Sequence, residues 1–182
     1  MALLISVMRH ASHLYLIFPM SKVQIIDNFL SPLNFKYIEK LLLGDSLPWY
    51  INIPDRHNRY QFTHTFYDTR PPWNGPNDYF DSVRDIFLPK LGVTRLARVK
   101  ANLQVRTNFH RKSPDGYHTD FPDVITSIFY VNTNNGWTHI KGHGKVKSVA
   151  NRMVLFDSNL EHTGHTCTNK NTRVVINFNF LR

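Results

Sequence analysis

Tyr117-His118-Thr119-Asp120 holds residue types that can do chemistry, at a spacing that allows it. On an extended segment residues two apart project to one face, so His118 and Asp120 offer an imidazole nitrogen and a carboxylate oxygen to a single ion. Far downstream, just past an apolar strand-like run, His162 supplies a second imidazole, and Arg173 heads the terminal apolar run. Two imidazoles and one carboxylate on one face of a metal leave the opposite positions open, the ligand set of non-heme Fe(II) oxygenases. An Arg aimed at the same space presents a planar fork to a carboxylate. Together the four imply a metal and a dicarboxylate. His165 competes with His162 as third ligand, whereas His139 and His143, in the glycine-bounded stretch 136–144, read as loop histidines.

These residues need strands to hold them. From Val99 to Arg106, Val99, Ala101, Leu103 and Val105 share one face, while Lys100, Asn102, Gln104 and Arg106 share the other. From Arg173 to Phe180, Val174, Ile176, Phe178 and Phe180 alternate in the same way with Arg173, Val175, Asn177 and Asn179. Such strands predict a sheet backed by helices on its apolar side and lining a wet cavity on its polar side. Further strands are expected at 125–131 and 152–156. Upstream, Ser31 suits a helix cap and Pro32 the first turn, and Leu33, Tyr37, Ile38, Leu41 and Leu42 form one face before Gly44. A second helix is expected from Asn77 or Asp78, with Tyr79, Phe80, Val83, Ile86 and Phe87 toward a core and Pro89 interrupting it. Residues 49–67 read as a hairpin turning near Pro54-Asp55, and 70–76 as a loop. Helices followed by many short strands predict an α+β, mainly β protein whose β part is a sandwich or barrel of jelly-roll type.

The chain has 182 residues, 42 % of them hydrophobic, with 13 Phe, 8 Tyr and 3 Trp, the apolar content of a folded domain. One domain over residues 20–182 is expected, preceded by an extension, 1–19, of unclear role. That extension is apolar, but Arg9, His10 and His13 break it. It falls short of the ~18–20 uninterrupted apolar residues of a spanning helix and lacks a basic start, so no membrane partner is expected. The single Cys167 excludes an internal disulfide and any multi-cysteine zinc site, and fits a reducing, cytoplasmic compartment. The formal charge is +9, from 22 Lys+Arg against 13 Asp+Glu. Residues 87–112 hold Lys90, Arg95, Arg98, Lys100, Arg106, Arg111 and Lys112 without an acid, and beyond Asp123 the acids are Asp157 and Glu161. This charge projects positive potential toward an anionic ligand, an acidic substrate or nucleic acid, although no nucleic-acid reading motif accompanies it.

With these residues in view, the sequence resembles the 2-oxoglutarate and Fe(II)-dependent dioxygenases, most closely their prolyl-4-hydroxylase-like branch, over roughly residues 23–180. His118, Asp120, His162 and Arg173 match, in order, that family's His-x-Asp, distal His and basic residue, and the resemblance favours His162 over His165. Thr126-Ser127-Ile128-Phe129-Tyr130-Val131-Asn132 is similar to the family strand whose Tyr helps bind the 5-carboxylate of 2-oxoglutarate, which makes Tyr130 the match. Ile25-Ile26-Asp27-Asn28-Phe29-Leu30-Ser31 is similar to the family's usual opening. The resemblance implies a double-stranded β-helix core with N-terminal helices packed on one sheet. It also implies Fe(II) on His118, Asp120 and His162, with 2-oxoglutarate held by Arg173 and Tyr130, O2 as oxidant and ascorbate as a candidate reductant. Asn102, Gln104 and Asn177, on the cavity-facing side, are further candidates to bind the cosubstrate. The implied reaction decarboxylates 2-oxoglutarate to succinate and CO2 and hydroxylates a substrate C–H bond.

A protein or peptide hydroxylase, prolyl hydroxylation first, is the leading expectation. The hairpin and the loop to Pro76 would form its lid, with Arg56, Arg59 and Arg70 favouring acidic flanks. Oxidative demethylation of nucleic acid by an AlkB-like member comes second and is disfavoured, because that branch carries a further Arg where this chain has Asn179. A non-catalytic jelly-roll binding protein or a small-molecule-modifying enzyme is the third. The stretch 136–144 departs from the family's usual glycine-rich phrase, so the substrate stays open.

Overall fold

The computed structural model describes residues 23–52 and 61–182. The 1–19 extension, the turn at Pro54-Asp55, Arg56 and Arg59 lie outside the described residues. In chain order the elements are β1 (Gln24–Ile26), α1 (Pro32–Leu43), β2 (Tyr50–Asn52), β3 (Gln61–Asp68), β4 (Gly75–Pro76), α2 (Asp81–Leu91) and β5 (Arg95–Val105). β6 (Ile125–Tyr130), β7 (Trp137–Ile140), β8 (Gly144–Lys147), β9 (Arg152–Asp157), β10 (His162–His165) and β11 (Thr172–Leu181) follow. The described residues are mainly β, with two helices and two antiparallel sheets. The larger sheet runs β1-β9-β6-β11-β5-β3-β2, with β4 on β3, and the smaller runs β10-β7-β8.

Local chemistry explains both helices. Ser31 Oγ accepts from the Asn34 N–H at 3.3 Å and caps α1, which ends where the Gly44 N–H returns to the Lys40 carbonyl at 3.0 Å. Helix α2 starts later than its apolar pattern predicts, at Asp81, and it does not stop at Pro89. Only Lys90 and Leu91 follow Pro89 in the helix, and Gly92 closes it in the left-handed conformation at φ 64°.

Both helices pack on one face of the large sheet. Ile38 and Leu42 of α1 and Val83, Phe87 and Leu91 of α2 join Val99, Ala101, Phe129, Val174, Ile176 and Phe178 in one apolar cluster. The Phe87 ring centre lies 4.9 Å from that of Phe129 and 4.8 Å from that of Phe178. Covering the apolar alternates of β5 and β11 in this way forces their polar alternates to the opposite face, toward the small sheet. Register then pairs those polar residues across the strands: Arg173 with Gln104, Asn177 with Lys100, and Asn179 with Arg98. A second apolar cluster, with Tyr130, Val154, Phe156 and Val175 from the large sheet and Ile140 and Val146 from the small one, closes part of the space between the sheets. The polar part of that space is the cavity. The stretch 136–144, expected as loop, instead supplies β7 and the start of β8, so His139 lies on a strand and only His143 in the turn between them.

Candidate metal centre and anion pocket

His118 and His162 face each other across an isolated antiparallel bridge. The His162 N–H donates to the His118 carbonyl at 2.9 Å and the His118 N–H to the His162 carbonyl at 3.2 Å. The bridge brings two residues distant in sequence to a ring separation of 4.7 Å. Asp120 completes the group: its Oδ1 is 3.9 Å from His118 Nε2 and its Oδ2 3.8 Å from His162 Nε2. One ligand atom from each of the three lies within 4.8 Å of the others.

The protonation pattern suits a metal. His118 Nδ1 lies 3.2 Å from the Gly116 carbonyl and His162 Nδ1 3.2 Å from the Leu160 carbonyl. A carbonyl only accepts, so each Nδ1 carries the proton and each Nε2 lone pair points toward Asp120. His162 Nε2 is buried and has no hydrogen-bond partner. A buried lone pair in a polar site is costly unless something takes it up, and a metal ion does so. Burial keeps His162 less basic than an ordinary imidazole, with His118 and Arg98 adding to the effect against the pull of Asp120.

Asp120 is more elaborately held than its sequence context suggests. Arg98 Nη2 donates to its Oδ1 at 2.7 Å, while Asn179 Nδ2 and Thr126 Oγ1 donate to its Oδ2 at 2.9 and 3.0 Å. Burial alone would raise this carboxyl, but Arg98, the two imidazoles and the Asn179 bond hold it well below the usual carboxylate range. Sequence reasoning grouped Arg98 with the general basic run and did not assign it to the site. The detectable signal was its position on the polar phase of β5, in line with Lys100, Asn102 and Gln104. Asn179, noted in the sequence only for not being Arg, bridges Asp120, Thr126 and Arg98.

From this centre a cavity of about 340 Å³ leads to Arg173. Arg173 is buried, with Nε on Ser148 Oγ at 2.9 Å, Nη2 on Thr138 Oγ1 at 2.9 Å and Nη1 on Gln104 Oε1 at 3.3 Å. All three acceptors are neutral, and among the described residues no carboxylate forms an ion pair with Arg173. A buried guanidinium without a countercharge is suited to receive an anion. Two glycines make room for it. A Cβ on Gly136 would meet the Arg173 stem at 2.8 Å, and one on Gly164 would come within 2.7 Å of Ser113 Oγ and 3.3 Å of Arg173 Nη1.

The remaining sequence candidates divide between the wall and the shell. Asn102 and Asn177 line the cavity, and Asn177 Oδ1 is buried without a hydrogen bond. Lys100 also lines it, its ammonium made less basic by burial and by nearby Arg98. Tyr130 does not reach the wall: it is fully buried and donates from its hydroxyl to Thr138 Oγ1 at 2.8 Å, one step behind Arg173. His165 stacks on Trp137, with ring centres 4.5 Å apart, outside the three-residue group. At the mouth, Arg70 is clamped on Asp68 at 2.9 Å and lies over the Phe121 ring. Glu161 pairs with Lys141 and not with Arg173.

No protein-family model matches the chain, and no curated protein matches its sequence. Solved structures do match. A 2OG-Fe(II) oxygenase family oxidoreductase from Burkholderia pseudomallei aligns at TM-score 0.62 and 12% identity, over 87% of this chain and 84% of that one. A prolyl hydroxylase from Trichoplax adhaerens, solved with a peptide fragment of the hypoxia inducible factor oxygen degradation domain, aligns at TM-score 0.57 and 14% identity, over 87% and 83%. The α-ketoglutarate-dependent epimerase SnoN of nogalamycin biosynthesis aligns at TM-score 0.58 and 10% identity, over 87% and 77%. These neighbours differ in the reactions that their names describe, and what they share with this chain is architecture. The chain has the fold of the 2-oxoglutarate/Fe(II) oxygenases.

Proposed function

We propose that this protein is a 2-oxoglutarate/Fe(II)-dependent dioxygenase, built on a double-stranded β-helix, that hydroxylates a C–H bond of a protein or peptide. One observation carries the reading: a single cavity joins a His118–Asp120–His162 cluster to a buried, anion-seeking Arg173. In this reading His118, Asp120 and His162 hold Fe(II), and Arg173 holds the far carboxylate of 2-oxoglutarate, with Asn102 and Asn177 as hydrogen-bonding wall residues. Bound metal and cosubstrate supply the oxidising chemistry, with release of succinate and CO2.

The chain's own residues orient and shield. Asn179, Thr126 and Arg98 fix both oxygens of Asp120, so the carboxylate cannot swing away from the two imidazoles. Ser148, Thr138 and Gln104 fix the plane of the Arg173 fork, and Tyr130 fixes Thr138. Phe156 packs against His162, with ring centres 4.9 Å apart, and both side chains are buried, so this imidazole is shielded from bulk water.

A peptide substrate is supported by the polar lining of the cavity, to which Arg70, Lys100 and Asp115 contribute, and by the prolyl hydroxylases among the structures of similar fold. Succinate release from 2-oxoglutarate, measured with purified enzyme and Fe(II) on peptide libraries and on free amino-acid mixtures, tests it. Stimulation by peptides that disappears in His162→Ala and persists in His165→Ala is expected. Stimulation by free amino acids alone would overturn the peptide assignment, and activity retained in His162→Ala would overturn the ligand assignment.

A further inference from the structure

The outer face of the small sheet carries a cross-strand row that the cavity does not use. Antiparallel register sets Lys112, His165, Trp137 and Lys147 side by side, and places His139 beside Lys145 two residues further on. Thr138 points inward to Arg173, and Ile140 and Val146 point into the second apolar cluster. Their alternates Trp137, His139, Lys145 and Lys147 therefore point away from the cavity.

This face is basic and aromatic together. Arg111, Lys112, Lys141, Lys145 and Lys147 are exposed, and the acid beside them, Glu161, is taken up by Lys141. A cation lies against each of three rings. Lys145 sits 4.2 Å over Trp137, Lys112 and Lys141 sit 4.9 and 5.1 Å over Tyr117, and Arg111 sits 4.6 Å over Phe109. Phe109 is 62% exposed, a large apolar ring left open to solvent. Trp137 also stacks on His165 and meets His110 at a tilt, each with its ring centre 4.5 Å away. The cross-strand row spans about 14 Å at the usual strand spacing.

We propose that this face binds single-stranded nucleic acid. Exposed cations, all but Lys141 without a carboxylate partner among the described residues, attract a phosphate backbone. The interleaved rings distinguish the ligand from other polyanions, because unstacked bases have π-faces to offer and a sulfated sugar or an acidic protein side chain does not. The site lies on the opposite side of the small sheet from the cavity, so it stands whether or not the proposed hydroxylation is correct.

The test is fluorescence anisotropy of the full chain with labelled oligothymidylate and oligouridylate across a salt series, with heparin and a DNA duplex as competitors. Binding that weakens steeply with salt is expected, and Lys145→Glu combined with Lys147→Glu weakens it at least tenfold. Phe109→Ala, at an exposed position outside the cavity, weakens oligonucleotide binding about fivefold or more while leaving heparin binding unchanged. The uridylate and thymidylate arms decide between RNA and DNA. Absence of binding at low salt, an unaffected double variant, stronger binding to duplex, or a Phe109→Ala loss equal for heparin and oligonucleotide would each overturn the proposal. Thermal melting of every variant confirms folding.

Discussion

Arg98 and Asp120, 22 residues apart in the chain, form a largely buried ion pair of 2.7 Å in which the carboxylate belongs to the proposed metal-ligand group. Positive charge therefore already neutralises the one anionic ligand. Arg98→Met leaves Asp120 with neutral donors only, and should cost the metal-free protein about 3 kcal/mol of stability. A divalent ion then supplies the missing charge. The rise in Tm on adding Fe(II) anaerobically, or Co(II) as a stand-in, should exceed that of the wild type. A rise equal to or smaller than the wild type's would show that Arg98 does not share Asp120 with the metal.

Tyr130 acts on the anion pocket from behind, through Thr138 and by lying under the Arg173 guanidinium at 5.6 Å, and does not line the cavity. Tyr130→Phe removes one neutral hydrogen bond, worth about 1 kcal/mol. The Kd for 2-oxoglutarate should rise about fivefold, with metal affinity unchanged, in calorimetric titrations. A loss of a hundredfold or more would mean that the hydroxyl touches the carboxylate directly.

Gly164 leaves room beside the Arg173 guanidinium that a methyl group would fill. Gly164→Ala crowds Ser113 Oγ and Arg173 Nη1 without touching His118 or Asp120. Weakening of 2-oxoglutarate binding by tenfold or more is expected, with the metal-induced Tm shift preserved. Equal affinities for 2-oxoglutarate would place the anion elsewhere.

His165 is held neutral well into acid, its pKa lowered to about 4 by burial first and then by Arg173 and Lys112. An unfolded chain protonates this imidazole near pH 6.5, so below that value the unfolded state binds a proton that the folded state refuses. The stability this residue contributes is full above about pH 6.5 and is lost as the pH falls toward about 4. Calorimetric Tm values across that range should fall less steeply for His165→Gln than for the wild type. Parallel profiles would show that His165 titrates normally.

Much of this arrangement was legible because β5 and β11 alternate so cleanly. Val99 and Ala101, like Val174, Ile176 and Phe178, could only be core, which fixed the phase of Asn102, Gln104, Arg173 and Asn177. The small sheet was hidden because β7, β8 and β10 have four residues each and carry His, Lys and Gly where apolar alternates usually reveal a strand. β10 also finds its partner, β7, more than twenty residues away in the chain, as the pairing of His162 with Ile140 shows. The role of Arg98 was invisible for a related reason. Which of several cations meets Asp120 depends on register between β5 and β11, and local spacing does not encode that. Pro89 misled because its fixed φ is itself helical, so the chain continues through Lys90 and Leu91 although the Pro89 hydrogen bond is lost.

The central claim is that one cavity holds both a metal and a 2-oxo dicarboxylate. An anaerobic titration of metal-free protein with Fe(II) and then 2-oxoglutarate, followed by visible absorption, tests it most directly. The account predicts a charge-transfer band of an iron-chelated 2-oxo acid that requires both additions, is absent in His162→Ala and needs far more 2-oxoglutarate in Arg173→Ala. Folded wild-type protein that gives no band, or a band indifferent to Arg173, would contradict it.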